Sequence, residues 1–232
     1  MISMMSFLAC FNPQALVSFI LEGAIYESEL ELDDESVKQL MLWDDVRYSL
    51  ELPTIQDGVL YSVRWNEEPI VLHIEFYSDP DSEMPQRLWQ YNTVASMANG
   101  RPVYSVVLYL VEEPSIPEPF YTKRFRNGQV ACSFAFHEVK LWELEPEVIK
   151  LPQMATLLPL LPLTKNGQNR ETVLRMMHEI IQASKGEVVW FALRVAEWVL
   201  TSKEDQQWLQ ERTRRSNKHS NSSVAKEDGT VE

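Results

Sequence analysis

Residues 58–77 read GVLYSVRWNEEPIVLHIEFY, and this stretch decides the fold. Two runs rich in Val, Ile, Leu and aromatic residues, 58–65 and 70–77, predict two β-strands. The polar residues 66–69 between the two runs predict a hairpin turn. Because side chains alternate along a strand, the second strand places Glu75 among residues of a core type.

Glu75 needs a partner, because burying an unpaired carboxylate is costly or raises its pKa. Asp57, just ahead of the first strand, is the nearest acidic candidate. Two neighbouring carboxylates form a hard-oxygen pair suited to Mg²⁺ or Mn²⁺. Two plainer interpretations stay open. Glu75 can form a structural ion pair with Arg64 or Arg87, and Asp57 can be an ordinary turn residue.

His73 shares the face of Glu75 in the predicted strand, two residues before it. A single histidine in a strand is more often a hydrogen-bonded core residue than a ligand. We therefore assign no catalytic role to His73 from the sequence.

The register of the hairpin decides whether the two acids meet. A three-residue loop sets Val59 opposite Glu75 and Asp57 opposite Tyr77, so that both carboxylates share a face. A loop of two or four residues shifts the pairing by one and sends Asp57 to the other face, unless a bulge at Gly58 turns it back.

The flanking segments predict a mixed α/β protein. Helical spacing with an Asn12 N-cap covers 13–22, and a helix over 84–99 ends at Gly100. The remaining predicted elements are strands over 46–52 and 102–111, a hairpin of 121–125 with 130–141 around Asn127-Gly128, an irregular proline-rich connector over 145–164, and helices over 171–181, 188–200 and 203–212.

The composition excludes several classes of protein. The chain has 232 residues, 45% of them hydrophobic, and a net charge of −13, which indicates a globular protein without an extended basic face. No apolar stretch approaches the ~20 residues that span a bilayer, so we expect a cytoplasmic protein with no membrane partner. Cys10 and Cys132 lack the paired spacing of zinc or dithiol sites.

Several ordered segments together resemble one protein family. They are FLACFNPQALVSFILEG (7–23), DGVL (57–60), LHIEFYSDPDSEMPQRLWQYN (72–92), RPVYSVVLYL (101–110) and LWELEPEVI (141–149). These segments resemble the Rpn-like transposase/nuclease families of the PD-(D/E)XK superfamily. The resemblance implies a restriction-endonuclease-like α/β core, a mixed sheet flanked by helices, over 1–165. A C-terminal helical extension over 166–215 and a disordered tail over 216–232 then complete the predicted organisation.

The resemblance also implies an active site. Its aspartate falls on Asp57 and its glutamate on Glu75, which would bind Mg²⁺ or Mn²⁺ for hydrolysis of DNA. Tyr77 occupies the third catalytic position, where relatives carry Lys or Gln. In the wider superfamily a Gln or Tyr early on the next helix, here Gln86, Gln90 or Tyr91, can approach the site, although a solvated face with an aromatic core contact is at least an equal alternative. The first functional hypothesis is therefore a divalent-metal-dependent DNA phosphodiesterase.

The departures from the family pattern favour a second hypothesis, a catalytically degenerate relative that acts as a binding or interaction module. A phenol at Tyr77, with an ordinary pKa of about 10, is a poor substitute for a cation that orients water. Residues 1–6 lack the acid and lysine with which relatives begin, and Ile55 stands in place of an arginine. A third hypothesis is a soluble scaffold without metal. The aromatic residues of the C-terminal helices, Phe191 among them, either pack the helices together or hold a second subunit.

Overall fold

The computed structural model describes residues 11–30, 58–77, 82–149, 152–183 and 186–211. The strands are β1 (Ile25–Leu30), β2 (Gly58–Trp65), β3 (Glu68–Tyr77), β4 (Val103–Tyr109), β5 (Phe120–Arg124), β6 (Val130–Ala135) and β7 (His137–Lys140). The helices are α1 (Pro13–Ile20), α2 (Met84–Asn99), α3 (Arg170–Ala183), α4 (Gly186–Val199) and α5 (203–211). The described residues do not include the predicted strand 46–52, Ile55, Asp57 or the predicted tail.

A five-stranded mixed sheet forms the centre, in the order β1-β2-β3-β4-β7. β2 runs antiparallel to both β1 and β3, whereas β4 runs parallel to β3 and β7 runs parallel to β4. Helices flank this sheet, so the predicted mixed α/β class is confirmed.

The β2–β3 turn has two residues. Asn66 and Glu67 have φ angles of 50° and 68°, the left-handed pair that two-residue hairpins of the primed type require. The turn therefore sets Trp65 opposite Glu68 and Gly58 opposite Glu75. The three-residue loop, which would have placed Val59 opposite Glu75, is wrong, because the strand already begins at Glu68.

One face of the sheet carries the main core. Leu72, Ile74 and Phe76 of β3 are buried there against α1, α4 and the proline-rich connector. Phe11 stacks on Phe76 with ring centroids 6.4 Å apart and meets Phe191 of α4 edge-on at 5.9 Å. Residues at the two ends of the described chain therefore share one hydrophobic core.

The opposite face is covered by α2. Leu88 and Ala95 of this helix are buried against the sheet, and Gly100, with a φ of 60°, ends the helix in the left-handed conformation as predicted. This face carries His73, Glu75 and Tyr77, the alternate residues of β3 identified from the sequence. A helix therefore lies directly over the candidate site.

Two elements differ from the predictions. Residues 25–30, for which the sequence pattern predicts no helix or strand, form the edge strand β1, because its exposed acids can point to solvent at the rim of the sheet. The predicted strand 130–141 is broken at Phe136, where β6 ends and β7 begins. β7 joins the main sheet because it pairs with β4, while β6 pairs with β5 in a separate two-stranded sheet.

The C-terminal part follows the predicted pattern of helices. Residues 152–163 form a 3₁₀-helix with Pro159 and Pro162 inside it, which agrees with the predicted irregular connector. Phe191 is fully buried, whereas Trp198 is 38% exposed. Within the described ranges, the helices are too short or too polar to cross a bilayer.

Candidate functional site

The candidate site lies where the parallel strands β3, β4 and β7 end, on the face that α2 covers. Tyr77, Tyr109 and Lys140 are cross-strand neighbours at this edge, two residues beyond Glu75 and Val107. Directly opposed residues of a sheet share a face, so the polar side chains of these rows converge. The carboxyl ends of parallel strands are the usual location of ligand sites in open α/β sheets.

Glu75 and His73 form a close pair on this face. The Oε1 atom of Glu75 lies 3.5 Å from the Nε2 atom of His73. His73 has no exposed surface, and Glu75 is 6% exposed. The Nε2 atom has no hydrogen-bond partner among the described residues. The close neighbour of Glu75 is therefore His73, to which we assign no catalytic role from the sequence.

Ser105 and Asn92 support the other side of the histidine ring. The Nδ1 atom of His73 lies 3.3 Å from the Oγ atom of Ser105. The Nδ2 group of Asn92 donates to the same oxygen at 3.0 Å and to the Val103 carbonyl at 2.9 Å. A proton on Nδ1 leaves the Nε2 lone pair facing Glu75, whereas a proton on Nε2 points at the carboxylate. The protonation of one buried ring therefore sets the chemistry of the pair.

Ser105, His73 and Glu75 follow one another as the members of a hydrolase triad do, but the geometry argues against Ser105 as a nucleophile. Ser105 is 4% exposed, and its oxygen already accepts the Asn92 hydrogen bond. A nucleophile must reach a substrate carbonyl or phosphorus atom. Ser105 is therefore best described as a positioning residue for His73.

Tyr91 of α2 closes the pair from above. Its ring centroid lies 5.8 Å from that of His73, and the residue is buried. Burial raises the pKa of the Tyr91 hydroxyl, and the negative charge of Glu75 raises it further, while the nearby Arg87 lowers it. Tyr91 consequently remains protonated at neutral pH. Of the helix residues that the family pattern suggested, Tyr91 approaches the site, Gln86 is exposed and Gln90 is half-buried.

Arg87 of α2 brings a positive charge to Tyr77. Its guanidinium donates a hydrogen bond to the Tyr77 hydroxyl. The other suggested cation, Arg64, instead forms an ion pair with Glu27 at 2.9 Å on the far edge of the sheet. Arg64 is therefore not the partner of Glu75.

The charged residues that β7 adds to this face were not predicted from the sequence. The Nζ atom of Lys140 lies 2.6 Å from the Oε1 atom of Glu138, and this hydrogen bond raises the pKa of Lys140. Burial raises the pKa of the Tyr109 hydroxyl, and the charge of Glu138 adds to the effect. The available signal was the hydroxyl of Tyr109, which follows the apolar residues 106–108 of β4.

Comparisons with family models, curated proteins and solved structures give no match to this chain.

The donor set can be tested for its fit to a metal ion. Nε2 of His73 and Oε1 of Glu75, at 3.5 Å, are close enough for both to bind one ion at ~2.1 Å, and the nitrogen is otherwise unpartnered within the described part of the chain. Among the described residues, no group of three or more His, Cys, Asp and Glu side chains forms a metal cluster. The residues present thus supply two donors, and a third must come from elsewhere. The two-residue turn sends Asp57 to the other face of the sheet unless a bulge at Gly58 turns it back. Asp57 lies outside the described residues, and its role as the third ligand stays a prediction.

Proposed function

We propose that this chain is a cytoplasmic, divalent-metal-dependent DNA phosphodiesterase with a restriction-endonuclease-like core of the PD-(D/E)XK type. The observation that carries the proposal is the buried Glu75 carboxylate beside the Nε2 atom of His73, at the carboxyl ends of parallel strands. A buried carboxylate beside an imidazole nitrogen is costly without a proton or a cation between them. A divalent cation there would make the pair favourable.

Glu75, His73 and Asp57 would hold the ion. One imidazole beside carboxylates favours Mn²⁺ over Mg²⁺, because Mg²⁺ prefers an all-oxygen set. When bound, the ion would lower the pKa of a water molecule and neutralise charge that develops on the phosphate. With the ring proton on Nδ1, shared with Ser105 Oγ, His73 would present its Nε2 lone pair to the ion, and Ser105 would hold the ring in place.

Arg87 would supply the cation that the family pattern assigns to the position of Tyr77. Its hydrogen bond to the Tyr77 hydroxyl orients the guanidinium at the edge of the site. Arginine stays charged at all physiological pH values and binds phosphate oxygens through two N–H groups. In this role Arg87 binds and orients the phosphate. Tyr91, kept protonated, can donate a hydrogen bond but cannot act as a base.

Nicking of supercoiled DNA tests the proposal, with Mg²⁺ and Mn²⁺ supplied separately. We expect Glu75→Gln and Asp57→Asn to abolish nicking, while Glu29→Gln, on an exposed position of β1, serves as the matched carboxylate control and nicks like the wild type. Mn²⁺ binding, followed by electron paramagnetic resonance, provides a readout that needs no activity. Nicking by Glu75→Gln at the wild-type rate would overturn the proposal.

A catalytically degenerate binding module is the second candidate. The observation that favours it is the Tyr77 hydroxyl, which occupies the place of a lysine and is engaged by Arg87. This hypothesis expects no nicking and no Mn²⁺ binding by the wild type, with DNA binding retained. Self-association through the exposed side of α4 around Trp198 belongs to the same proposal and is tested by sedimentation.

A further inference from the structure

The hairpin formed by β5 and β6 stands apart from the main sheet. Every residue from 123 to 131 is exposed, and the sequence of this tip is KRFRNGQVA. Phe125 is 59% exposed and Val130 is 45% exposed, which is unusual for large apolar side chains on a single loop. The tip therefore presents apolar and basic side chains together.

The charge of this hairpin is opposite to that of the whole protein. Residues 120–135 contain Lys123, Arg124 and Arg126 but no Asp or Glu, whereas the whole chain carries −13. None of the three cations forms an ion pair with another described residue. Unneutralised cations on a short ribbon are the pattern expected for contact with a polyanion.

The hairpin has defined contacts at its tip and at its base. At the tip, the Phe125 amide donates to the Gln129 carbonyl at 2.8 Å, and the Gly128 amide donates to the Phe125 carbonyl at 2.9 Å. Gly128 takes a φ of 85°, which a glycine adopts at little cost. At the base, the Tyr121 ring stacks on Trp89 of α2 with centroids 5.3 Å apart.

The same helix connects the arm to the candidate site. Trp89 lies two residues after Arg87, the residue that donates to Tyr77. Residues i and i+2 point to different sides of a helix, so Arg87 and Trp89 lie on opposite flanks of α2, within one turn of each other along its axis. The arm and the site lie on the α2 side of the sheet.

We propose that the β5–β6 hairpin is a DNA-binding arm that holds the phosphate backbone of a duplex beside the site. Lys123, Arg124 and Arg126 contact phosphates, and Phe125 contacts the sugar or base edges, as two-stranded ribbons do in DNA grooves. The choice of duplex DNA as partner rests on the proposed function, since the charge pattern alone indicates only a polyanion.

Fluorescence anisotropy of a labelled duplex in EDTA, over a range of NaCl concentrations, tests the arm without cleavage. The triple variant K123S/R124S/R126S is compared with K165S/R175S/K203S, which removes three exposed cations elsewhere and gives the same net charge. We expect the arm variant to reduce the magnitude of the slope of log affinity against log salt by about 2.7, at about 0.9 for each of three phosphate contacts, and the control to keep the wild-type slope. Equal losses in both variants, or no DNA binding by the wild type, would overturn the proposal.

Three further measurements test the arm separately from the active site. DNA binding by the wild type that K123S/R124S/R126S loses, without nicking by the wild type in Mg²⁺ or Mn²⁺, would overturn the proposed function and still support the arm. Phe125→Ser should weaken binding about tenfold with an unchanged thermal midpoint, because the exposed ring makes little contribution to the fold. Wild-type binding to vesicles containing phosphatidylserine, as tight as to DNA and lost in the arm variant, would overturn the choice of DNA.

Discussion

The Nε2 atom of His73 lies 3.5 Å from the Oε1 atom of Glu75, and both side chains are buried on the face of β3 that α2 covers. An imidazole nitrogen so close to a carboxylate is stable when a proton or a cation lies between them. The affinity of the pair for a cation therefore depends on whether a proton already lies between the two atoms. The buried ring is supported from behind by Ser105.

His73→Gln should separate the contribution of the imidazole from that of the carboxylates. We expect Mn²⁺ affinity to fall by at least about 10-fold, and Mg²⁺ affinity to change less, because nitrogen ligands contribute more to Mn²⁺ than to Mg²⁺. Titration calorimetry with each ion provides the measurement. His137→Gln, at an exposed histidine, is the matched control. Unchanged Mn²⁺ affinity in His73→Gln would remove His73 from the ligand set.

Ser105→Ala should remove the hydrogen bond that supports His73 without removing a ligand. The variant loses the hydrogen bond to Nδ1, which we expect to cost about 1 kcal/mol in the free energy of unfolding. Mn²⁺ affinity should also fall, by about 10-fold, because the ring is no longer held in place by its outer hydrogen bond. Urea denaturation and calorimetry measure the two effects. In Ser133→Ala, an exposed position on β6, both values should stay at the wild-type level, and an equal loss there would contradict the assignment.

Glu67→Gly should stabilise the β2–β3 hairpin. Glu67 has a φ of 68°, and the left-handed conformation costs a non-glycine residue about 1 to 2 kcal/mol. After the entropy that glycine loses on folding, we expect a gain of about 0.5 kcal/mol in the free energy of unfolding, measured in urea. Glu68→Gly, one residue later in β3, should instead destabilise. Loss of stability in Glu67→Gly would show that its side chain contributes more than the turn strain costs.

Glu27 should contribute to the acid dependence of stability. The Ser62 hydroxyl donates to its carboxylate at 2.9 Å, and Arg64 and Arg101 lie nearby, so the pKa of Glu27 is lowered from its ordinary value of 4.5. A carboxyl whose pKa is lower in the folded state stabilises the fold above its unfolded pKa and loses that contribution as the pH falls through the folded value.

Thermal unfolding midpoints across the acid range test this expectation. Glu27→Gln should have a lower midpoint than the wild type at neutral pH, and the two curves should converge below pH 4.5, where the wild-type carboxylate becomes protonated. Glu22→Gln, at an exposed position after α1, is the control and should follow the wild-type curve. A constant difference between Glu27→Gln and wild type at every pH would contradict the electrostatic explanation.

The predictable parts of the fold are those with a clear period. Alternation in β2 and β3 and helical spacing in α2 identify these elements, and Gly100 marks the end of the helix. Edge strand β1 was missed because its acidic residues interrupt the alternation of apolar and polar side chains. β6 and β7 were joined in the prediction because no residue at Phe136 signals a change of sheet. Lys140 was missed as a site neighbour because the change of sheet brings β7 beside β4. Tyr109 was missed because no local pattern shows which strand pairs with its own.

The sequence by itself determined which residues of β3 share a face, because successive side chains of any strand point to opposite sides. That alternation alone is enough to group His73, Glu75 and Tyr77. Only the tertiary structure decided what meets them: the two-residue turn that sets Gly58 opposite Glu75, Ser105 behind His73 and Arg87 on Tyr77. His73 and Ser105 are 32 residues apart, and pairing over such a distance depends on strand order and helix packing, which no local period encodes.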